Sequence, residues 1–297
     1  MAEGILDANN AFLLGNYRSA IKILQKCELN AADVKQKGDV LLHRVYIAQG
    51  RCGIVLDELR DVPDSLELQL VRLVALYFNS TDERPKVLEE LEKLLNVPPS
   101  SEDETALILA ATVYLDAGLI DRALQILHQG DGVNCNALRV QAYMALHRYD
   151  LAGKVIRRMQ AADEDSLPCQ LATALYNISK GGDRLQEALN IYEELKEKYG
   201  STPVILNGQA AAFIGMNRWE DAESVLQESL DLDSSNSDSI VNMIVVSHHL
   251  GKPVETINRL TSQLKESNKT HPFLTDLAEK DAEFSRCSQH YAPSIPC

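Results

Sequence analysis

A repeat with a period near 34 residues constrains this chain more than any other feature of its 297 residues. In segments such as Gly15-Asn16-Tyr17-Arg18-Ser19-Ala20-Ile21-Lys22-Ile23-Leu24 and Asn217-Arg218-Trp219-Glu220-Asp221-Ala222-Glu223-Ser224-Val225-Leu226, a turn former precedes a large apolar residue, a small residue and a second large apolar residue. Aligning on the small or β-branched position gives Ala20, Val55, Val87, Ala123, Ala152, Ala188, Ala222 and Thr256, separated by 35, 32, 36, 29, 36, 34 and 34 residues. Four residues beyond each anchor stands Leu24, Leu59, Leu91, Leu127, Ile156, Tyr192, Leu226 or Leu260, one helical turn along the same face. Five residues before the anchors are Gly15, Gly50, Asp82, Gly118, His147, Asp183, Asn217 and Gly251; all but His147 favour the tight reversal between antiparallel helices. Each unit reads as a helical hairpin. Ala8, Ala75, Ala111 and Ala210, twelve residues before their anchors, are small enough to let the first helix approach its partner closely.

A two-helix period of this length, with small residues where the helices cross, resembles the tetratricopeptide repeat, in which one hairpin cannot bury both faces and must stack on its neighbours. The expected fold is all-α: one tetratricopeptide-repeat-like α-solenoid of about eight helical hairpins over residues 1–292, wound as a right-handed superhelix, with a short tail at 293–297. The third unit is degenerate because Arg84 occupies the large apolar slot, and the 29-residue spacing before Ala152 leaves one unit short. A C-terminal capping helix is expected at about 272–291, opened by His271-Pro272-Phe273. Phe273, Leu277, Phe284, Cys287 and Tyr291 fall on roughly one stripe of it, and the stripe is expected to cover the apolar flank of the last repeat.

Composition narrows the function. With 45% hydrophobic and 24% charged residues the chain has ample apolar surface to fold. Its 29 Lys and Arg against 43 Asp and Glu give a net charge of −14, which phosphate backbones and anionic headgroups repel, so neither nucleic acid nor direct membrane insertion is expected. Six cysteines scattered singly (Cys27, Cys52, Cys135, Cys169, Cys287 and Cys297) point to a reducing compartment rather than a disulfide framework. The opening Met-Ala-Glu-Gly-Ile-Leu-Asp has no basic start and no apolar stretch, so no secretory leader is expected. The longest uncharged stretch, Tyr199 to Asn217, is broken by Pro203, Asn207 and Gln209, so no membrane span is expected. Cys297 is the last residue, which does not suit prenylation.

The residues offer little chemistry. Gly-x-Ser-x-Gly, His-Glu-x-x-His, a phosphate loop and a dinucleotide-binding Gly-x-Gly-x-x-Gly are all absent. Gly251-Lys252 is followed by Pro253 and reads as a hairpin turn. Cys287 and His290 have half of a zinc-like spacing with no second pair nearby, and adjacent His248 and His249 point to different sides of a helix. Asp163-Glu164-Asp165-Ser166 lacks the ligand pattern of a calcium loop and reads as a solvated turn, while Trp219 fills a repeat slot and is expected in the core. No catalytic, cofactor-binding or metal-binding residue is assigned, and the chain is read as non-enzymatic with no cofactor.

A solenoid without chemistry works by gripping another protein along the concave wall built by its first helices. Counting from the anchors, the inward-facing candidates are Arg44, Arg72, Leu76, Thr112, Leu115, Gln141, Met144, Asn207, Ala211, Val245 and His248. A carboxylate clamp for acidic chaperone tails needs several cations together; the clamp-like positions are Val40, Arg72, Ile108, Ala137, Asn207 and Val241, with one cation among them. A mainly apolar groove points instead to a large, long-lived interface.

Several strings go beyond the generic repeat: Asn10-Ala11-Phe12-Leu13-Leu14-Gly15-Asn16-Tyr17, Leu127-His128-Gln129-Gly130, Met159-Gln160 before Asp163-Glu164-Asp165, and Gln170-Leu171-Ala172-Thr173-Ala174. They continue with Leu206-Asn207-Gly208-Gln209-Ala210, His249-Leu250-Gly251-Lys252-Pro253 and His271-Pro272-Phe273. Together, in order and over nearly the whole chain, they resemble the epsilon-subunit family of the COPI coatomer. The resemblance implies a non-enzymatic coat subunit that binds and stabilises the C-terminal domain of the alpha subunit within the rest of coatomer. It also implies cytoplasmic and peripheral Golgi-membrane localisation, with work in Golgi-to-ER and intra-Golgi transport. The rival readings are a generic tetratricopeptide co-chaperone or assembly scaffold, against which the missing clamp argues, and a hydrolase or transferase hidden in an irregular repeat.

Overall fold

The apolar spacing is realised as helix throughout. A computed structural model describes residues 3–27, 32–61, 65–95, 103–269 and 271–291, and among these residues there are seventeen α-helices and no strand. Two compact units divide the chain, Met1–Lys180 and Gly181–Cys297. In the first, hairpins pair α1 (Glu3–Leu13) with α2 (Tyr17–Lys26), α3 (Ala32–Ala48) with α4 (Cys52–Glu58) and α5 (Leu66–Asn79) with α6 (Arg84–Leu94). They continue with α7 (Glu104–Asp116) on α8 (Ile120–Leu127) and α9 (Val133–Ala145) on α10 (Tyr149–Asp163), and α11 (Leu167–Lys180) ends the unit. The second unit holds α12 (Arg184–Tyr199), the pairs α13 (Pro203–Gly215) with α14 (Trp219–Leu232) and α15 (Ser237–His249) with α16 (Val254–Ser267), and α17 (Pro272–His290).

One backbone device recurs at the hairpin turns. Gly15, Gly50, Gly118, His147, Asn217 and Gly251 all adopt the left-handed conformation, with φ between 56° and 75°. After each of them an N–H reaches back five residues: Asn16 to the Ala11 carbonyl at 2.8 Å, Leu119 to Tyr114 at 2.8 Å, Arg218 to Phe213 at 2.9 Å, and likewise Arg51 to Tyr46, Arg148 to Tyr143 and Lys252 to Ser247. This is the Schellman closure, which satisfies carbonyls that the ending helix leaves orphaned. His147, the one poor turn former among these positions, makes the same turn as the glycines. Asp82 does not; it lies in a short 3-10 helix, Thr81–Glu83, and the degenerate unit turns differently. Asp183 has φ −62°, and the left-handed residues before it are Gly181 and Gly182.

The anchors carry the core. Ala20, Val55, Val87, Ala123, Ala152, Ala188 and Ala222 are buried, as is every large residue one turn beyond an anchor; Thr256 alone is half-buried. Ala8, Ala75, Ala111 and Ala210 are fully covered, so small residues do meet at the helix crossings. In the degenerate unit Arg84 still fills its slot: the guanidinium lies 4.6 Å over the Tyr77 ring and 3.8 Å from the Asp116 carboxylate. The short spacing before Ala152 is absorbed by α8, only 8 residues long. Neighbouring repeats are tied by polar contacts as well. Glu104 of α7 accepts hydrogen bonds from the N–H groups of Asn134 (3.1 Å) and Cys135 (3.3 Å), capping the first turn of α9.

The last helix forms where the apolar pattern places it, but its stripe is not covered. No residue of α17 is buried, and Leu277, Phe284 and Tyr291 are 46%, 73% and 80% exposed. Its base is tethered by half-buried Phe273 and Leu274, and His271 accepts the Phe273 N–H at 3.2 Å. The last hairpin does not need it: Ile257, Leu260 and Leu264 already seal α16 from within. The tail at 293–297, with Cys297, lies outside the described residues, as do Pro63, Pro98 and Pro99.

Candidate partner-binding face

The candidate groove residues all stand on first helices of hairpins. In the first unit, α1, α3, α5, α7, α9 and α11 pack each on the next, so Arg44, Arg72, Leu76, Thr112, Leu115, Gln141 and Met144 are carried along one continuous row. In the second, α13 packs on α15 and brings Asn207 and Ala211 beside Val245 and His248.

Burial divides these candidates. Gln141 and His248 are exposed, and the other nine are half-buried. Leu76 and Leu115 pack against the core of the first unit and Met144 against a smaller cluster around Val140 and Met159. Thr112 satisfies its hydroxyl on the Ile108 carbonyl at 2.8 Å. Arg44 places its guanidinium 4.9 Å over the Phe12 ring; burial lowers its pKa to about 10, against the opposing pull of Glu104. A half-buried cation lying over a ring is part of the wall, with little left to offer a partner.

Asn207 is likewise committed within its own unit. Its Nδ2 donates to the Pro203 carbonyl (2.9 Å) and Ser239 Oγ (2.8 Å), and its Oδ1 accepts from Asn242 Nδ2 at 3.0 Å, which pins α13 to α15. Beside it Gly208 lets the Tyr192 ring lie directly on the α13 backbone. Burial pushes the Tyr192 phenol up to about 12. The Leu206-Asn207-Gly208-Gln209-Ala210 string is thus a packing device of the second unit.

The chemical candidates separate in the same way. His248 and His249 are both exposed, and His249 stacks flat on Trp219, ring centroids 3.8 Å apart at 5°. Trp219 is therefore half-buried beneath an imidazole, whereas a core position was expected. Asp163, Glu164 and Asp165 are solvated, and Ser166 Oγ donates to the Asp163 carbonyl at 2.9 Å. Cys27, Cys52, Cys135, Cys169 and Cys287 are free thiols; burial pushes Cys135 up to about 12. Among the described residues no group of three or more His, Cys, Asp or Glu is placed to hold a metal ion, and no helix is long and apolar enough to cross a membrane.

With this geometry in hand, comparison with known proteins is decisive. The profile described as the coatomer epsilon subunit matches residues 1–292. The chain is similar to coatomer subunit epsilon-1 of Arabidopsis thaliana, 33% identical over 290 residues that cover 98% of both chains. It is also similar to coatomer subunit epsilon of Dictyostelium discoideum, 35% identical over 292 residues covering 96% of this chain and 97% of that one. The chain belongs to the coatomer epsilon subunit family. Members of this family are structural coat components, and the repeat row described above is this member's architecture. Solved structures agree on the fold. A tetratricopeptide repeat protein from Parabacteroides merdae superposes with a TM-score of 0.56 at 14% identity, covering 86% of this chain and 94% of its own. The APC/C hetero-tetramer Cut9-Hcn1 gives 0.61 at 14% identity, covering 92% of this chain and 54% of that one.

Leu277, Phe284, Cys287 and Tyr291, expected to cover the last repeat, face solvent instead, because a helical period reports which side of a helix is apolar and not what covers it.

Proposed function

We propose that this coat subunit binds and stabilises the C-terminal domain of the alpha coatomer subunit through the exposed side of its first helices. The chain then acts from the cytoplasm, peripherally on Golgi membranes, in Golgi-to-ER retrograde and intra-Golgi vesicle transport. The observation that carries the reading is the row α5, α7, α9, on which Leu76, Leu115 and Met144 are half-buried apolar groups with Arg72, Thr112 and Gln141 between them. Such a face loses water readily when a protein covers it, and affinity then comes from desolvation more than from charge. A net charge of −14 supports an indirect route to the membrane through the other coat subunits.

The test is co-purification of the full chain with the alpha C-terminal domain. Gln141→Arg and Met144→Glu are expected to weaken binding at least tenfold, whereas Lys154→Glu, on an exposed part of the second helix α10, leaves it unchanged. Binding that survives both face variants in folded protein, or is lost only with the α10 variant, overturns the assignment. Binding of the wild type is expected to resist moderate salt.

A further inference from the structure

We infer that the outer face of α10 is a docking site for an acidic peptide segment of another protein, held by Lys154, Arg157 and Arg158. This goes beyond the alpha-subunit reading, because these side chains stand on a second helix and none of them belongs to the first-helix row. Spaced three and four apart, they share one face of α10, and all three are exposed. Among the described residues none of the three has an ion pair or a side-chain hydrogen bond. In a chain with 43 Asp and Glu against 29 Lys and Arg, an exposed cation finds a carboxylate easily, and Arg60, Lys93, Arg148 and Arg218 each hold one at 2.7–2.9 Å. Around α10 the acids are scarce. Between Gly132 and Ala162 there are five Lys and Arg and one acid, Asp150, which Arg148 already binds. The helix dipole does not account for the cations, since the last turn of α10 carries none and ends on Asp163.

The positive field extends beyond the helix. Arg139, only 3% exposed, donates to the Gly130 carbonyl and lies 3.6 Å from Asp131, while its Nε has no partner. His128 Nε2 lies 3.1 Å from the Tyr143 hydroxyl; partial desolvation lowers the His128 pKa first, and Arg139 and Arg158 lower it further, against the smaller opposing pull of Asp131. An imidazole that feels two guanidinium groups more than the nearest carboxylate stands on a surface that attracts an incoming anion. The exposed side chains at the end of α8, Gln125, His128 and Gln129, add no negative charge. Size and surroundings select the occupant. Lys154 to Arg158 spans about 6 Å along the helix axis, the reach of two or three neighbouring carboxylates. Nucleic acid and anionic membranes need a broader basic surface, and the net charge of −14 around this patch repels both. Arg157 and Arg158 supply two planar forks for carboxylates, and Lys154 adds a point charge beside them.

Fluorescence anisotropy of a labelled hexaglutamate peptide, titrated with the purified full chain alone and in complex with the alpha C-terminal domain, tests this. Binding is expected at low salt in both cases and should weaken about tenfold or more between about 0.05 and about 0.5 M salt, as exposed charges are screened. Arg157→Glu/Arg158→Glu is expected to weaken it by about tenfold or more, whereas Lys22→Glu/Lys26→Glu, the same change of charge on exposed residues of α2, leaves it within about twofold. All four residues are exposed, so the variants keep the fold, which circular dichroism checks. No binding at low salt, or an equal loss with the α2 variant, overturns the proposal. So does binding to the free chain that disappears in the complex with the alpha C-terminal domain, because α10 then belongs to that interface. Phosphatidylserine vesicles that sediment the wild type but not Arg157→Glu/Arg158→Glu, with no binding of the peptide, would assign the patch to a membrane instead.

Discussion

Gly208→Ala tests how tightly the second unit is packed. A Cβ built at Gly208 would lie 2.7 Å from Cε2 of Tyr192 and closer still to Cζ and Cε1, distances that no real Cβ occupies. The ring cannot simply swing away, because Tyr192 is 6% exposed and sits one turn beyond the anchor Ala188. Overpacking at such a site costs about 1–3 kcal/mol, here toward the upper end, while replacing a helical glycine by alanine returns about 1 kcal/mol. The net expectation is destabilisation by about 1–2 kcal/mol. Gly53 is the internal control, a glycine of α4 with nothing within 4 Å of its would-be Cβ, so Gly53→Ala is expected to stabilise by about 0.5–1 kcal/mol. Trp219, the single tryptophan, lies on α14, so its emission during urea titration reports unfolding of the second unit, while helical circular dichroism in the same titration follows the Gly53 control in the first. On a Tyr192→Leu background the ring is gone, and Gly208→Ala should then turn neutral or stabilising. If Gly208→Ala behaves like Gly53→Ala in the wild-type chain, or if its effect is the same with and without the Tyr192 ring, the close-approach argument is wrong.

Other outcomes follow from the same contacts. Leu226→Ala empties a fully buried position one turn beyond Ala222 and should cost about 2–5 kcal/mol by the same titration. Asn207→Ala takes the acceptor from Asn242 Nδ2 and one of the partners from Ser239 Oγ, which keeps Asn236 and Ser229, and is expected to cost about 0.5–1.5 kcal/mol, with a midpoint shift smaller than that of Leu226→Ala. Lys196 (2.8 Å) and Ser201 (2.6 Å) hold the Glu228 carboxyl below its usual range, so its stabilising contribution is present above the unfolded value of about 4.3 and is lost as pH falls through the lower folded value. The stability gap between wild type and Glu228→Gln should therefore shrink on acidification below about pH 4; a gap that persists in acid would remove the carboxylate from the explanation. His249→Ala uncovers one face of Trp219, and the folded-state emission should shift to the red with little change in the midpoint.

What could be read from the residues was what local physics decides. An alanine that must lie where two helices cross leaves no alternative, and Ala8, Ala75, Ala111 and Ala210 are all fully buried. A turn that needs one left-handed residue is legible as glycine or asparagine, and five of the six Schellman turns carry one; His147 obeys the same geometry with the wrong residue because the helices on either side impose it. The candidate face was legible as a row and not as a set of contacts. Arg44 and Asn207 sit at the right register, yet a ring and a neighbouring helix claim them first, because a polar side chain on a half-buried wall bonds to whatever is nearest. Gln141 and His248 stand at similar register and remain exposed, since no such neighbour reaches them. The same reasoning explains α17. Its stripe has the spacing of a buried face, but burial is a property of two surfaces, and the last hairpin closes its own core without offering the second one.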